Sequence, residues 1–364
     1  KPSSAASRYA NPYDPMLVTK GLHHRALLLG LLLLLPLLLA SRAEAQWRPD
    51  ILEGYSCLTI DQGRDYSGPV TATLVRRDTL LKAPRALLYV HGYNDYFFQS
   101  ALGDSITRHG YAFYALDLRK YGRSLSSGQD PFEVRHLREY YADLAKAIQQ
   151  IKAGGARELV LMAHSTGGLI TSLYLEDTHN SDSVQALVLN SPFLDFNFSK
   201  VQERLVIPML DGIGRVSPRT IVAGISEEPD LYAQSLLKRY HGLWDYNTEW
   251  KKAKGHTIRL EWLRAIRRGH QQVQRGLSLR MPILLMSSDS SIRARGAWQP
   301  AYGRADLVLD VDDIQHYGLM LGDKVQPVRI VGGLHDLFLS SDSAAYAEAY
   351  RQLFRFLDQL PPQH

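Results

Sequence analysis

A serine lies in a segment of small residues between an apolar run and a helix-like stretch. The segment is Ala163-His164-Ser165-Thr166-Gly167-Gly168, the apolar run is 158–162 and the helix-like stretch is 169–176. A tight strand-to-helix turn presents its serine above the sheet, and it needs small residues two positions before and after. The N-terminal amides of the next helix then point at whatever the serine attacks. This pattern predicts that Ser165 is a nucleophile; an ordinary serine in a glycine-rich turn is the alternative.

A serine hydroxyl reacts only when a neighbouring base takes its proton and an acid orients that base. The base is expected on a loop after the last strand of the sheet. Gly332-Gly333-Leu334-His335 follows the last strand-like segment, 325–331. No other histidine follows that segment on a glycine-containing loop, which predicts that His335 is the base. A surface histidine in a turn is the alternative.

Two aspartates compete for the role of the acid. Asp289 comes just after the strand-like segment 281–286, whereas Asp306 comes after the extra residues 290–305. The span from acid to histidine must hold a helix, a strand and short loops, roughly 25 to 30 residues in all. Asp306 satisfies this length and Asp289 exceeds it. Asp306 is therefore favoured, and Asp289 stays open as the alternative.

A tetrahedral oxyanion needs amide donors that are already in place. The backbone N–H of Thr166, directly after the nucleophile, is one predicted donor. The loop after the strand-like segment 86–90 supplies the other, with the Tyr93 N–H as the natural donor. His91 in this loop is expected to brace it. The motif from Asp117 to Ser124 is expected to order a neighbouring loop.

From residue 69 onward, strand-like and helix-like segments alternate along the chain. Short continuous apolar runs are typical of buried parallel strands, and periodic apolar spacing over longer segments indicates helices. This order predicts an α/β fold with a mostly parallel sheet and helices on both faces. The strand-like segments are 70–75, 86–90, 111–116, 158–162, 184–189, 281–286 and 325–331, and the helix-like segments are 134–151, 169–176, 230–240, 258–274, 312–321 and 343–357.

The alternation stops after Phe193. Residues 195–280 hold helix-like stretches and no convincing buried strand, which predicts an inserted helical cap between two parts of the core, 46–194 and 281–364. Apolar and aromatic residues of the cap are expected to cover an acyl pocket. These residues are Leu243, Trp244, Tyr246, Trp250 and Trp262.

Residues 1–45 have the pattern of an N-terminal extension and a signal peptide. Basic residues precede the apolar run 26–40, and Ala43-Glu44-Ala45 matches a cleavage site. The run is shorter than the roughly 20 residues that a membrane-spanning helix needs. The sequence thus predicts export to a periplasm or the medium after cleavage near Ala45. An N-terminal membrane anchor is the alternative.

The composition is that of a globular protein with a substantial core, since 45% of the 364 residues are hydrophobic and 22% are charged. The net charge is +5, and a basic cluster occupies residues 251–275. No nucleic-acid recognition motif accompanies this cluster, so we expect a solvated helical face; contact with a membrane surface is the weaker alternative. Cys57 is the single cysteine, which excludes an internal disulfide. No motif calls for a metal or an organic cofactor, and nothing indicates the oligomeric state.

The ordered set of motifs resembles the α/β-hydrolase superfamily, and within it the monoacylglycerol-lipase and lysophospholipase-like branch. The order Ser, Asp, His along the chain is the order of that superfamily. Two departures are Ala163 in place of the usual glycine and the extra residues 290–305. The residues that carry the resemblance are His91-Gly92, Asp117 to Ser124, Ala163 to Gly168, Ser191-Pro192, Asp306 to Val311 and His335.

The resemblance implies hydrolysis of carboxylic esters, including lipid-like ones, through an acyl-enzyme intermediate and without a cofactor. The substrate is then a small-molecule or lipid ester. An amidase, a peptidase or an acyltransferase using the same three side chains remains an alternative. A non-catalytic binding protein on the same scaffold is a further one, since related scaffolds host other functions.

Overall fold

The computed structural model describes residues 46–197 and 206–361, so the predicted leader, 1–45, lies outside the described residues. Nine of the strands in the described part form one sheet and the other two form a separate ribbon. The strands are β1 (Arg48–Pro49), β2 (Tyr55–Asp65), β3 (Gly68–Arg77), β4 (Arg85–Val90), β5 (Ala112–Asp117), β6 (Glu158–His164), β7 (Ala186–Asn190), β8 (Ile221–Ala223), β9 (Ile258–Arg259), β10 (Ile283–Ser288) and β11 (Val325–Ile330).

The large sheet has the spatial order β1-β2-β3-β5-β4-β6-β7-β10-β11. The neighbouring strands β5-β4-β6-β7-β10-β11 are parallel to one another. The pairs β1-β2, β2-β3 and β3-β5 are antiparallel. The register pairs Val90 with Ala163, and Asn190 with both His164 and Met286. Because parallel strands end at the same edge, the residues that follow β4, β6, β7 and β10 meet there.

Helices cover both faces of the sheet, which confirms the predicted fold class. Successive residues of β6 point to opposite faces, so that Leu161 belongs to one apolar core and Met162 to the other. The helices of the described residues are α1 (Ser100–Arg108), α2 (Tyr141–Ala153), α3 (Thr166–Thr178), α4 (Ile207–Val216), α5 (Leu231–Leu236), α6 (Leu260–Val273), α7 (Val311–Gly318) and α8 (Ser343–Asp358).

Two predicted helices are shorter in the structure. The helix expected over 134–151 begins at Tyr141, after a single 3₁₀ turn, because His136 is extended and caps that turn together with Glu139. The helix expected over 230–240 is α5 and ends at Leu236. Leu237 is extended there and pairs with Trp244.

The residues predicted to form a cap, 195–280, are called the cap below. Their described part carries α4, α5 and α6, together with the two-stranded antiparallel ribbon of β8 and β9. Helix α6 lies against α3 with no space between them. A Cβ added at Gly269 would come 2.7 Å from Leu137 and 3.1 Å from Leu173. This close approach fixes α6 of the cap to the core.

Candidate active site

Ser165 occupies the sharp turn between β6 and α3. Its backbone has φ 51° and ψ −120°, a strained conformation for a residue with a side chain. The Ser165 N–H donates to Asn190 O at 3.1 Å, and the Phe193 N–H donates to Ser165 O at 2.9 Å. The turn also requires Gly167, where a Cβ would lie 2.4 Å from the carbonyl oxygen of His91. The sheet therefore holds the strained serine from both sides.

His335 lies on the loop after β11 and reaches Ser165. The distance from His335 Nε2 to Ser165 Oγ is 3.0 Å, and both side chains are buried. Asp336, the next residue, holds the loop in place. One of its carboxylate oxygens accepts from the Asn190 side chain at 2.8 Å, and the other accepts from the Gln99 side chain at 3.1 Å.

Asp306 is the carboxylate that contacts the imidazole of His335. Its Oδ2 lies 2.8 Å from His335 Nδ1, and its Oδ1 accepts from the backbone amides of Val308 and Leu309, each at 2.8 Å. Since a carboxylate only accepts, the Nδ1–H of His335 donates to it. Nε2 is then left with a lone pair that accepts the Ser165 hydroxyl proton.

Asp289, the alternative acid, contacts a different group. Its Oδ1 accepts from the Gly332 N–H at 2.9 Å and so fixes the start of the loop that carries His335. The extra residues 290–305 leave the sheet and return to it. The Asp306 N–H donates to Ser290 O, and the Ile292 N–H donates to Asp306 O, both at 2.9 Å. This closure returns Asp306 to the end of β10 and explains why the favoured acid comes so late in the chain.

The two predicted oxyanion donors flank Ser165. Gly92 presses against the serine, since a Cβ added there would lie 2.9 Å from the Cβ of Ser165. Tyr93 follows directly, and Thr166 is the first residue of α3, at the positive end of its dipole. Within the described residues neither the Tyr93 nor the Thr166 backbone amide donates a hydrogen bond. Both donors are thus free to bind a negatively charged oxygen beside Ser165.

His91 braces the loop after β4, as predicted. Its Nδ1 contacts Gly92 O at 2.8 Å, and its Nε2 accepts from the Leu118 N–H at 3.1 Å. Asp117 fixes the far end of this loop, because its Oδ1 accepts from the Phe97 N–H at 2.9 Å. The predicted ordering role of the motif that begins at Asp117 therefore extends to the loop that carries Tyr93.

A cavity of about 530 Å³ lies between this edge of the sheet and the cap. Ser165 and His335 are at its core side, and aromatic and basic side chains of the cap face them. The Tyr232 ring stands edge-on to the imidazole of His335, with 5.5 Å between ring centroids. The cavity lining includes Tyr93, His164, Ser165 and His335 from the core and Leu236, Tyr232, Tyr246, Lys251 and Lys252 from the cap.

Of the five cap residues expected to cover an acyl pocket, Tyr246 alone lines this cavity. Leu243 is 61% exposed, because it lies in the turn after α5 and points to solvent. Trp244 and Trp250 fix the cap to the core instead. The indole N–H of Trp244 donates to a backbone carbonyl of the core at 2.7 Å, and Trp250 packs edge-on against a core tyrosine at 5.1 Å. Trp262 lines a smaller cavity of about 190 Å³.

The basic cluster at 251–275 is not uniformly a solvated face. Arg268 and Arg275 are exposed as expected, but Lys251 is buried and pairs with Asp95 at 3.0 Å. The expectation failed for Lys251 because a buried carboxylate of the core offers it a partner that the local sequence does not reveal.

Burial also affects the protonation of His164, which lies beside His335. Its ring centroid is 4.8 Å from that of His335, and its Nδ1 contacts Asn190 O at 3.0 Å. Removal from water lowers the pKa of His164. A neutral ring here adds no positive charge next to the imidazole of His335.

Several supporting residues were missed by the sequence reasoning. Asp336, Asn190 and Gln99 form a buried polar network behind His335, and Asp95 pairs with Lys251. Asn190 ends a strand and Asp336 directly follows the candidate base, whereas Gln99 and Asp95 carry no such local signal. In the ranges 46–197 and 206–361, no group of three metal-ligating side chains converges, and no helix has the length and apolar character to cross a bilayer.

The chain belongs to the family described as serine aminopeptidase, S33, whose pattern matches residues 82–294. No curated protein sequence matches the chain. Solved structures of lipases and esterases of the α/β-hydrolase superfamily share its fold.

Three of these structures cover most of the chain. A soluble variant of the monoglyceride lipase of Saccharomyces cerevisiae, in complex with a substrate analog, aligns over 88% of this chain and 96% of its own, with 14% identity and a TM-score of 0.56. The carboxyl esterase of Bacillus coagulans, in complex with glycerol, aligns over 85% and 99%, with 13% identity and a TM-score of 0.55. The monoacylglycerol lipase of Paleococcus ferrophilus aligns over 76% and 94%, with 16% identity and a TM-score of 0.52.

Proposed function

We propose that the protein hydrolyses carboxylic esters through an acyl-enzyme intermediate on Ser165. One observation carries this proposal, namely the continuous contact from Asp306 to His335 to Ser165 at the wall of a cavity. The distances of 2.8 and 3.0 Å are those of hydrogen bonds, so Asp306 can orient the imidazole and His335 Nε2 can take the proton of Ser165.

In the proposed reaction, His335 Nε2 takes the hydroxyl proton while Ser165 Oγ attacks the ester carbonyl. The carbonyl oxygen becomes an oxyanion and accepts hydrogen bonds from the amides of Tyr93 and Thr166. Asp306 stabilises the imidazolium that forms. The imidazolium then protonates the leaving alcohol, and the acyl group stays on the serine. Water, deprotonated by the same imidazole, releases the carboxylic acid and regenerates the enzyme.

A lipid-like or short acyl ester is the proposed substrate class. The cavity of about 530 Å³ lies within the range of small-molecule sites and has aromatic walls. Two of the structural relatives are named monoglyceride or monoacylglycerol lipases and a third is named a carboxyl esterase. A series of p-nitrophenyl esters with increasing acyl length would define the length that fits.

Replacement of the nucleophile tests the mechanism. Ser165→Ala should lower kcat at least about a thousandfold, as expected for loss of a triad member. Ser172→Ala is a matched control, because Ser172 is a buried serine of α3 whose hydroxyl only donates to Gly168 O at 2.8 Å. Labelling by a fluorophosphonate probe should occur in the control and be lost in Ser165→Ala. Retained activity and labelling in Ser165→Ala would refute the proposal.

Peptide or amide hydrolysis is the second candidate, because the family description names an aminopeptidase. Matched ester and amide substrates with the same acyl group separate the two candidates. An esterase should hydrolyse the ester and leave the amide essentially intact, because an amine is a poorer leaving group than an alcohol. Clear turnover of the amide would replace the ester assignment with a peptidase or amidase, because such an enzyme hydrolyses both substrates.

Export is also proposed, on the basis of the leader pattern in residues 1–45. N-terminal sequencing of the exported product should find a new end near Ala45. An intact N-terminus on the exported protein would indicate an anchor instead.

A further inference from the structure

The residues directly after Tyr93 are bound to the cap. The Asn94 side chain exchanges two hydrogen bonds with the backbone of Lys252, donating to its carbonyl and accepting from its N–H, each at 2.9 Å. The Tyr96 hydroxyl accepts from the Asn247 N–H at 2.7 Å. These three bonds join a loop of the core to a single short segment of the cap.

Between these two contacts, Asp95 of the loop pairs with Lys251 of the cap. Lys251 Nζ lies 3.0 Å from Asp95 Oδ1, and the two side chains are 8% and 2% exposed. Aromatic rings surround the ammonium group, with the centroids of Phe98, Tyr232 and Tyr246 at 5.8–5.9 Å. Within the described residues, Asp95 Oδ2 has no hydrogen-bond partner. Lys251 is therefore the group that compensates the buried charge of Asp95.

The core binds the backbone of this loop at its two ends, and the Tyr93 ring between them packs on Phe132 of the core, with 4.8 Å between ring centroids. Gly92 presses against the catalytic serine at one end, and the Phe97 N–H binds Asp117 at the other. The part between them carries the Tyr93 amide. Asn94, the next residue, has φ 49°, a left-handed conformation that asparagine adopts more readily than most residues with a side chain. The cap segment supplies contacts directly at this place.

We propose that Lys251 is a positioning residue, which acts through Asp95 to hold the loop so that the Tyr93 amide faces the oxyanion. This inference rests on the proposed function, because it assigns a part in stabilising the oxyanion formed at Ser165. The orientation of the Tyr93 amide then depends on contact between the cap and the core. A tether that only fastened the cap would affect stability and leave kcat unchanged.

Lys251→Met tests the proposal, since it removes the charge and keeps a long unbranched side chain. Complete loss of an oxyanion donor costs about 10²–10³ in kcat, so a displaced donor should cost roughly 10- to 100-fold, with KM changed less than about threefold. Inactivation by a fluorophosphonate should slow in parallel. Lys251→Arg keeps the cation and should recover much of kcat. A folded Lys251→Met protein with wild-type kcat would overturn the proposal.

Arg264→Met is the matched control for a lost ion pair of the cap. Arg264 of α6 binds Asp211 of α4 at 3.0 Å. This variant should lower the melting temperature and leave kcat near wild type. An equal fall of kcat in Arg264→Met and Lys251→Met would also overturn the proposal, because any loosening of the cap would then suffice.

Asp95→Asn provides the second variant, and it remains informative if Lys251→Met does not fold. The Asp95 side chain is 2% exposed, so it cannot act by touching the substrate. The Asp95→Asn variant should lower kcat as Lys251→Met does. The kcat of the double variant should be no lower than that of the less active single variant. Additive losses would contradict action through one pair.

The two proposals fail in different ways. A wild-type protein without hydrolase activity, or an unaffected Ser165→Ala variant, would refute the proposed function and this inference with it. An active wild type that depends on Ser165 but tolerates both Lys251→Met and Asp95→Asn would refute only the positioning role.

Discussion

Asp306→Asn should abolish the base function of His335 while preserving the shape of the site. Asp306 Oδ1 accepts from two backbone amides, at Val308 and Leu309, and only the carbonyl oxygen of an asparagine can replace it there. The new NH₂ group must then face His335 Nδ1, 2.8 Å from the present Oδ2 position. Because NH₂ donates, Nδ1 must accept, and the ring proton moves to Nε2. A protonated Nε2 cannot take the proton of Ser165.

The expected loss is about 10⁴-fold in kcat, or about 5.5 kcal/mol, as for the wrong imidazole tautomer in a serine triad. The assay is steady-state hydrolysis of a p-nitrophenyl ester, with the melting temperature as a check on folding. Asp289→Asn is the matched control. Its carbonyl oxygen can still accept from the Gly332 N–H, so kcat should stay within about threefold of wild type. If Asp289→Asn collapses kcat while Asp306→Asn retains more than about a tenth of it, the reasoning is wrong.

Three further predictions concern packing and pH. Gly92→Ala should lower kcat at least about tenfold, because the new Cβ would lie 2.9 Å from the Cβ of Ser165 and displace the nucleophile; wild-type kinetics would contradict this. Burial lowers the pKa of His270 to about 3, below the value near 6.5 in an unfolded chain, so its contribution to stability is present above pH 6.5 and lost as the pH falls. The melting temperature of His270→Gln should thus decline less than wild type between pH 6.5 and 4, and parallel curves would count against the buried neutral ring. Burial, followed by the charge of Asp310, raises the pKa of Asp313 to about 6. The contribution of Asp313 to stability is therefore fully present below about pH 4 and is lost as the pH rises towards 6. Asp313→Asn should raise the melting temperature at pH 8 and not at pH 4; an equal rise at both would refute the assignment.

Strands were predicted best where nearly every residue is buried. Strands β4 and β6 are apolar except at their ends and were predicted within two residues, since both of their faces are covered by helices. Strand β2 was missed. Its second half is mostly exposed and polar, and an irregular register between Asp61 and Arg64 breaks its alternation. The local sequence pattern does not reveal such a strand, because it forms through its pairing with β3.

The same distinction applies to the site. Ser165, His335 and Asp306 all follow strands of one parallel sheet, so topology alone predicts that they meet at one edge. The aromatic wall of the cavity could not be predicted in this way. Trp244 and Trp250 carry the same apolar signal as Tyr246, but the orientation of the cap turns them towards the core. Lys251 pairs with Asp95, which lies 156 positions away in the sequence. As a member of a basic cluster, Lys251 was expected to be exposed to solvent instead.

The segment between Ser290 and Asp306 leaves the fold and rejoins it through paired backbone hydrogen bonds at its base. Those bonds fix the position of Asp306 at the base of the segment. Exposed residues of this segment can therefore be exchanged without moving Asp306. Two of its aromatic residues are held by the rest of the structure, since Trp298 stacks on His241 of the cap with 4.2 Å between ring centroids and Tyr302 is buried. Ala294, near its start, also borders the cavity. Substitution of Ala294 is thus expected to change which of the proposed ester substrates fit the cavity while leaving Asp306 in place.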